Sequence, residues 1–263
     1  MPEITVGDYG AFYRERGSGS VALFVHGFPL DSSMWLEQLD SLSDVRRCVA
    51  PDLRGFGRSV PSVCPVHSMD DHASDLAKLL DALGVEKVDL IGLSMGGYIS
   101  LAFAERYPER LRTLALVDTK STADSEDARA GRGAAAERVA AEGRSGLATD
   151  MIGVLVAESA SIWTRARLRT MIESTPNESI VAALQAMARR PDRTSVLSDL
   201  SVPVAVIVGE HDVLSPPAEA DRMAVAAGAT LTVVPDAGHM TPIEEPVMVA
   251  AALRSFWSEE RSD

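Results

Sequence analysis

The chain has 263 residues, of which 46% are hydrophobic and 24% are charged, and its formal net charge is −13. These proportions are those of an ordinary globular protein, and the length fits one large domain or one domain that carries an insertion. So strong a negative charge argues against a nucleic acid or an anionic membrane as the partner.

We find no targeting segment and no membrane span in the sequence. The N-terminus lacks a basic region followed by an apolar stretch, so no signal peptide is expected. The most apolar runs, Val202–Val208 among them, are far too short to cross a bilayer. Cys48 lies in a predicted strand and Cys64 in a proline-flanked loop, and both are expected to be free thiols without metal-binding spacing. We therefore expect a cytoplasmic protein that uses no metal and no other cofactor.

Through residue 118, apolar runs of strand length alternate with helical patterns. Ile4–Glu15 is typical of a hairpin, and the continuous apolar run Val21–Val25 is typical of a buried parallel strand. The elements predicted after them are a helix ending near Leu42, a strand around Arg47–Ala50, a helix over Met69–Leu83, a strand from Val88, a helix ending near Tyr107 and a strand over Leu111–Asp118. This alternation predicts an α/β fold with a mostly parallel, doubly wound sheet and helices on both faces.

The alternation stops between about Thr119 and Leu200, where only helical patterns occur. The helices predicted there are Asp124–Glu142, Leu147–Glu158, Ile162–Glu173, Glu178–Arg190 and a short one over Asp192–Leu200. The alternation resumes with a strand over Val202–Gly209, a helix over Ala218–Ala227, a strand over Ala229–Val234 and a helix over Pro246–Trp257. We therefore predict a core formed by residues 1–118 and 201–263. Residues 119–200 are predicted to form a helical cap, inserted between the sixth and seventh strands.

The stretch Val88–Ser100 changes from a strand-like run to a helical pattern, and Gly92-Leu-Ser-Met-Gly96 lies at the change. This pentapeptide fits G-x-S-x-G, in which the two glycines leave room for a sharp turn between strand and helix. Such a turn projects a serine hydroxyl above the end of the sheet, beside the unpaired N–H groups of a helix N-terminus. We therefore predict that Ser94 is a nucleophile. It needs a base, because a serine hydroxyl alone is a weak nucleophile.

His239 and Asp212 are the predicted base and acid. Both follow strands, and in open α/β sheets functional groups gather beyond the carboxyl ends of the strands. The order Ser94, Asp212, His239 is the one that serine hydrolases on such a sheet show. In that arrangement His239 takes the serine proton, and Asp212 orients the ring and stabilises its cation. Asp118 also follows a strand and is kept as an alternative acid, whereas Asp236 is too close in sequence to reach around the ring.

The transition state of acyl transfer needs hydrogen-bond donors, because it places negative charge on the former carbonyl oxygen. The backbone N–H of Met95, directly after the predicted nucleophile, is one expected donor. The N–H of Phe28, in the loop after His26, is the other. His26 itself ends a buried strand, where its ring is expected to brace this loop by hydrogen bonding.

Five motifs occur in an order that resembles the α/β-hydrolase superfamily along nearly the whole chain. They are His26-Gly-Phe-Pro29, Asp52–Ser59, Gly92–Gly97, Gly209–Asp212 and Ala237–His239. The chain is most similar to bacterial carboxylesterases, 3-oxoadipate enol-lactonases and cofactor-free haloperoxidases with a serine nucleophile. This resemblance implies a helical cap at 119–200 and acyl-enzyme chemistry. Haloalkane dehalogenases and epoxide hydrolases share the fold but attack with aspartate, so Ser94 favours ester or lactone hydrolysis.

The sequence therefore predicts a serine hydrolase that cleaves carboxylic esters or lactones of small, largely apolar substrates. Enol-lactone hydrolysis is an alternative, and Pro29 after Phe28 resembles the haloperoxidase branch, in which peracid formation is a side activity. An alternative of another class is a small-molecule receptor on a hydrolase scaffold, although the intact Ser94, Asp212 and His239 argue against it. The expected partner is the small-molecule substrate, and a homodimer is left open.

An apolar substrate pocket is expected where the cap meets the site. The residues expected to line it are Phe28, Met151, Trp163, Met187 and Met240. A carboxylate-bearing enol-lactone would also need basic cap residues that point inward. The candidates are Arg165, Arg167, Arg169, Arg189 and Arg190. A solvated helix face explains most of these arginines, so their orientation separates a lactonase from a general esterase.

Overall fold

The structure is a computed structural model that describes residues 3–59 and 68–259, the side chain of Glu259 excepted. Within these residues eight strands form one sheet: β1 (Glu3–Val6), β2 (Tyr9–Arg16), β3 (Val21–Val25), β4 (Arg47–Pro51), β5 (Val88–Leu93), β6 (Leu111–Val117), β7 (Val204–Gly209) and β8 (Thr230–Val234). Their spatial order is β1-β2-β4-β3-β5-β6-β7-β8. The β1–β2 and β2–β4 pairs are antiparallel, and every other neighbouring pair is parallel. The predicted N-terminal hairpin and mostly parallel sheet are confirmed.

Eleven α-helices lie in the described part of the chain: α1 (Leu36–Leu42), α2 (Met69–Ala82), α3 (Met95–Arg106), α4 (Glu126–Glu142), α5 (Ser145–Leu155), α6 (Ile162–Ser174), α7 (Asn177–Ala188), α8 (Thr194–Asp199), α9 (Pro217–Ala227), α10 (Thr241–Glu244) and α11 (Pro246–Glu259). Each predicted helix is present, with ends that differ by a few residues. α2 begins at a capping box, in which Ser68 and Asp71 each accept the other's backbone N–H. The sequence does not predict α10, because four residues are too few to show a helical repeat.

The central strands are buried on both faces of the sheet. In β3, Val21, Leu23 and Val25 join the hydrophobic core that contains α2 and α3, while Ala22 and Phe24 join the core that contains α1 and α11. Successive side chains of a strand point to opposite faces, so a strand that is covered on both faces must be apolar at every position. This double burial is the physical reason why β3 is a continuous apolar run.

Five helices, α4 to α8, occupy the segment between β6 and β7. All of residues 119–200 are described, and none of them lies in a strand. α4 packs against α7 and α5 against α6. Both pairs contribute buried side chains to the hydrophobic cores of the sheet. The helical insertion between the sixth and seventh strands is confirmed, while the division of the chain into a core of residues 1–118 and 201–263 and a cap of residues 119–200 stays a prediction.

Cys48, in β4, is a buried free thiol, as predicted. Burial raises the pKa of this thiol to about 12, so it is not a reactive thiolate at neutral pH. Cys64 lies outside the described residues, and its free thiol stays a prediction. None of the helices within 3–59 and 68–259 has the length and apolar character needed to cross a membrane.

Candidate active site

Ser94 lies at a tight turn between β5 and α3. Its φ of 53° and ψ of −114° belong to a backbone region that residues other than glycine rarely adopt. A Cβ on Gly96 would lie only 2.8 Å from the carbonyl carbon of Val25, and one on Gly92 only 2.6 Å from the carbonyl carbon of Gly96. The predicted strand–turn–helix is confirmed, and both glycines are required because backbone atoms fill the space that a Cβ would occupy.

His26 is a buried brace of the loop after β3. Its Nδ1 lies 2.9 Å from the carbonyl oxygen of Gly27, and the backbone N–H of Leu53 donates to its Nε2 at 3.0 Å. Because a carbonyl oxygen only accepts, Nδ1 carries the ring proton and Nε2 is the acceptor. Burial lowers the pKa of His26, which favours this neutral ring. The predicted bracing role is confirmed, and both ring nitrogens are occupied.

Asp212 and His239 form a buried hydrogen-bonded pair. Asp212 Oδ2 lies 2.8 Å from His239 Nδ1, and Oδ1 accepts the N–H groups of Leu214 at 2.8 Å and Ser215 at 2.9 Å. Burial alone raises the pKa of Asp212, but attraction to His239 and these hydrogen bonds lower it by more, so the pKa lies below its usual value. The ionised carboxylate accepts the Nδ1 proton, which leaves Nε2 of a neutral ring as a proton acceptor.

Asp118, the alternative acid, forms its hydrogen bonds with Gly209 and Thr241 and not with His239. Its Oδ1 accepts the N–H of Gly209 at 3.0 Å, and its Oδ2 accepts the N–H of Thr241 at 3.1 Å and lies 2.6 Å from the hydroxyl oxygen of Thr241. Burial, and then repulsion from Asp212, raise the pKa of Asp118 well above its usual value. Asp118 therefore ties together the segments that carry Asp212 and His239, and it is Asp212 that contacts the imidazole.

The residues on either side of Asp118 contact the turn at Ser94. The backbone N–H of Ser94 donates to the carbonyl oxygen of Val117 at 3.0 Å, and the hydroxyl of Thr119 donates to the carbonyl oxygen of Ser94 at 2.8 Å. Three consecutive residues at the end of β6 thus contact the segments that carry all three predicted catalytic residues.

Ser94 and His239 line the same cavity, whose volume is about 350 Å³. Most of the wall is apolar, and three of the predicted lining residues, Phe28, Met151 and Met187, belong to it. The other apolar side chains of the wall include Tyr98, Leu147, Val154, Leu155, Leu184 and Leu214. Most of these come from α5 and α7, and α4 adds Ala128 and Ala135, so the inserted helices form much of the cavity wall.

Two predicted lining residues do not reach this cavity. Trp163 lies in the first turn of α6 with 81% of its surface exposed, because α6 turns this position toward solvent. Met240 follows His239 but is fully buried in the hydrophobic core that contains α1 and α11. Sequence spacing identifies an apolar residue near the site, but it does not tell which way the side chain points.

The two predicted oxyanion donors lie beside the nucleophile. Phe28 lines the cavity, and Met95 is the first residue of α3, where a backbone N–H has no partner within the helix. Among the described residues, neither the Phe28 N–H nor the Met95 N–H donates a hydrogen bond to the protein. Neither N–H group is therefore taken up by an acceptor in this part of the protein, and their role as oxyanion donors stays a prediction.

The cavity wall also contains charged residues that the sequence analysis missed: Lys120, Asp124 and Arg132. Of the arginines considered, Arg167 pairs with Glu37 at 2.6 Å and Arg169 pairs with Glu173 at 3.1 Å, away from the cavity. One sequence signal could have identified Lys120. It lies three residues after the end of β6, and groups just beyond the strand ends face the site.

Comparison with known proteins agrees with this geometry. Residues 22–246 match the family described as alpha/beta hydrolase fold. The chain belongs to this family. The resemblance and the fold class that the five motifs predict are therefore confirmed.

Two solved structures are similar over nearly the whole chain. A thermophilic esterase from Thermogutta terrifontis, solved with malate bound, is 41% identical over 98% of both chains, with a TM-score of 0.93. The enol-lactonase from Burkholderia xenovorans LB400 is 26% identical over 98% of this chain and 100% of that chain, with a TM-score of 0.88.

A curated relative is longer than this chain. The dihydrolipoyllysine-residue acetyltransferase component of the acetoin cleaving system from Cupriavidus necator is 30% identical over 242 residues, which are 89% of this chain. The match spans 62% of the length of that relative.

The backbone atoms packed closely around Gly96 lead to a prediction about stability. Gly96→Ala should lower the free energy of unfolding by about 1–3 kcal/mol, because the added methyl meets backbone that cannot move aside. Gly133→Ala is the matched control, since Gly133 lies exposed in α4 with open space around it. This control should raise the free energy by about 0.5–1 kcal/mol. Urea unfolding of both variants measures the difference, and a Gly96→Ala protein as stable as the wild type would contradict the crowding.

Proposed function

We propose that the protein is a serine hydrolase that cleaves carboxylic esters or lactones through an acyl-enzyme intermediate. Ser94 is the nucleophile, His239 the general base and acid, and Asp212 the residue that orients the ring. The observation that carries the proposal is the 2.8 Å contact between Asp212 and His239 at the cavity that Ser94 also lines. A nucleophile beside a base that a third group orients is the arrangement that acyl transfer uses.

In the first half-reaction, His239 Nε2 accepts the proton of the Ser94 hydroxyl while the oxygen attacks the substrate carbonyl carbon. The tetrahedral intermediate then collapses, the C–O bond of the ester breaks, and the leaving alcohol takes the proton from His239. The acyl group is left on Ser94. Asp212 stabilises the imidazolium throughout, and its two backbone hydrogen bonds, from Leu214 and Ser215, keep the carboxylate in place.

In the second half-reaction, His239 removes a proton from water, whose oxygen attacks the acyl carbon. The bond between the acyl carbon and Ser94 Oγ then breaks, His239 returns the proton to Ser94 Oγ, and the carboxylic acid is released. Both tetrahedral intermediates place negative charge on the former carbonyl oxygen. We assign the backbone N–H groups of Phe28 and Met95 as its donors, and the N-terminus of α3 adds a favourable dipole. Losing one such donor typically costs roughly 100- to 1000-fold in turnover.

The comparisons support both substrate types. The esterase from Thermogutta terrifontis, at 41% identity, supports ester hydrolysis, and the enol-lactonase from Burkholderia xenovorans supports lactone hydrolysis. A cavity of about 350 Å³ fits a small substrate. An ester and a lactone present the same carbonyl chemistry to Ser94, so the two reactions differ only in whether the leaving alcohol stays attached to the acyl group.

Replacing Ser94 tests the proposed nucleophile. Ser94→Ala should lower turnover of p-nitrophenyl acetate, butyrate and octanoate, and of an enol-lactone, by at least about 1000-fold. The melting temperature should change little, because the Ser94 hydroxyl forms no hydrogen bond within the described part of the chain. Steady-state kinetics and thermal unfolding measure the two effects. Turnover that survives in the purified variant would disprove the proposed mechanism.

The wild-type profile over the same substrates separates the alternatives. Fast ester turnover would identify an esterase, and its dependence on chain length would give the size of the pocket. Lactone turnover far above that of the esters would identify a lactonase. A single burst without further turnover on any substrate would instead favour a small-molecule receptor and contradict the hydrolase proposal.

Replacing each of the two buried acids, Asp212 and Asp118, tests which one acts on His239. Asp212→Asn should lower kcat by about 10⁴-fold, because the amide no longer orients the ring of His239. Asp118→Asn should lower kcat by no more than about 100-fold. The new NH₂ group would face the N–H donor of Gly209 or of Thr241, and the repulsion between two donors would shift these loops without changing the contact between Asp212 and His239. Kinetics of both variants on one ester tests the ranking, and the reverse order would make Asp118 the catalytic acid.

A further inference from the structure

One wall of the catalytic cavity is charged, although most of the remaining lining is apolar. Lys120, Asp124 and Arg132 lie in this wall, and Ser94 and His239 line the same cavity. A charged group at the wall of an otherwise apolar cavity is costly unless it is paired. The charges of this wall therefore need to be accounted for one by one.

Asp124 is already compensated by two arginines. Its side chain is completely buried, and its carboxylate lies 2.5 Å from Arg132 and 2.8 Å from Arg190. Burial raises the pKa of Asp124, but Arg190 and Arg132 together lower it by more, so the carboxylate is ionised. The Arg190 guanidinium is 3.9 Å from the ring centre of Tyr98, which also lines the cavity. These three charges sum to one excess positive charge.

Lys120 adds a second positive charge. In the described part of the chain its ammonium group forms no ion pair and no hydrogen bond, although the side chain is only half-exposed. The Nε of Arg190 is also buried without a hydrogen-bond partner among the described residues. Lys120, Arg132 and Arg190, which lies behind the wall, together carry two more positive charges than Asp124 balances, in a chain whose formal net charge is −13.

Lys120 is close in the chain to the groups that hold the nucleophile. It directly follows Thr119, whose hydroxyl donates to the carbonyl oxygen of Ser94 at 2.8 Å. Because Lys120 and Ser94 line the same cavity, one small molecule can place its carbonyl carbon at Ser94 and an anionic group at Lys120. A carboxylate fits the two basic groups, because ammonium and guanidinium donors form charge-assisted hydrogen bonds with it.

We propose that the natural substrate carries a carboxylate in addition to the carbonyl that Ser94 attacks, and that Lys120 and Arg132 bind this carboxylate. Asp124 holds Arg132 in place, and Arg190 pairs with Asp124 from behind the wall. The inference rests on the proposed hydrolase function and narrows its substrate class from neutral esters or lactones to anionic ones. Lys120 is then a specificity-determining residue.

Two pairs of isosteric esters test this proposal, because each pair differs only by a carboxylate in place of a methyl group. The acyl-side pair is ethyl butyrate and monoethyl succinate. The alcohol-side pair is propyl acetate and 3-acetoxypropanoate. Hydrolysis in a pH-stat gives kcat/KM for each. The wild type should prefer the carboxylate ester in at least one pair by about 10- to 100-fold, the worth of one charge-assisted hydrogen bond.

The variants assign the preference to Lys120. Lys120→Met should abolish most of the preference, Lys120→Arg should keep it, and Lys87→Met, which removes an exposed lysine outside the cavity lining, should change nothing. A wild type that prefers the neutral ester in both pairs would overturn the proposal, as would a preference that survives in Lys120→Met.

A binding measurement separates this proposal from the hydrolase proposal. Titration calorimetry with succinate should show binding to the wild type and to Ser94→Ala, and binding at least about 10-fold weaker to Lys120→Met. If no ester is hydrolysed but succinate binds in this pattern, the hydrolase proposal fails and the anion site stands. If esters are hydrolysed through Ser94 but succinate binds the wild type and Lys120→Met equally, the anion site fails and the hydrolase stands.

Discussion

The carboxyl group of Asp118 is the contact on which the geometry of the site depends. It accepts hydrogen bonds from Gly209, at the end of β7, and from Thr241, two residues after His239. Its neighbours Val117 and Thr119 bind the backbone of Ser94. Two features of Asp118 are unfavourable by themselves. Its backbone φ is 44°, which residues other than glycine rarely adopt, and its carboxyl is buried and repelled by Asp212. Its hydrogen bonds offset this cost and, together with the contacts of Val117 and Thr119, connect the segments that carry Ser94, Asp212 and His239.

The insertion after β6 shapes the cavity that Ser94 and His239 line. α4, α5 and α7 supply most of the apolar wall of the cavity, so the space in front of Ser94 is shaped by residues that are remote from it in sequence. The charged wall begins three residues after β6, at Lys120, and continues with Asp124. The end of the same strand contacts the backbone of Ser94 and leads into the wall for which we propose a role in substrate selection.

Much of the fold and the reactive centre could be predicted from the sequence, for one physical reason. Parallel strands that are covered on both faces are continuous apolar runs, and their carboxyl ends converge, so Ser94, Asp212 and His239 could be placed together from their positions alone. The choice between Asp212 and Asp118 needed the structure, because it depends on how the loop after β7 turns. Trp163 was wrong as a lining residue because helical spacing does not fix which face of α6 meets the cavity. Asp124 precedes α4, and its ion-pair partners are Arg132 within α4 and Arg190 after α7, so the sequence around Asp124 gives no local signal of these pairs.

The central claim is that His239 activates Ser94 toward acyl-like electrophiles. Reaction with an alkyl fluorophosphonate, followed by intact-mass analysis and peptide mapping, tests it most directly, because the adduct is stable and needs no natural substrate. The account predicts one adduct per chain, located on Ser94, that forms far more slowly in His239→Ala. The absence of an adduct, an adduct at another residue, or equal rates in the wild type and His239→Ala would contradict it.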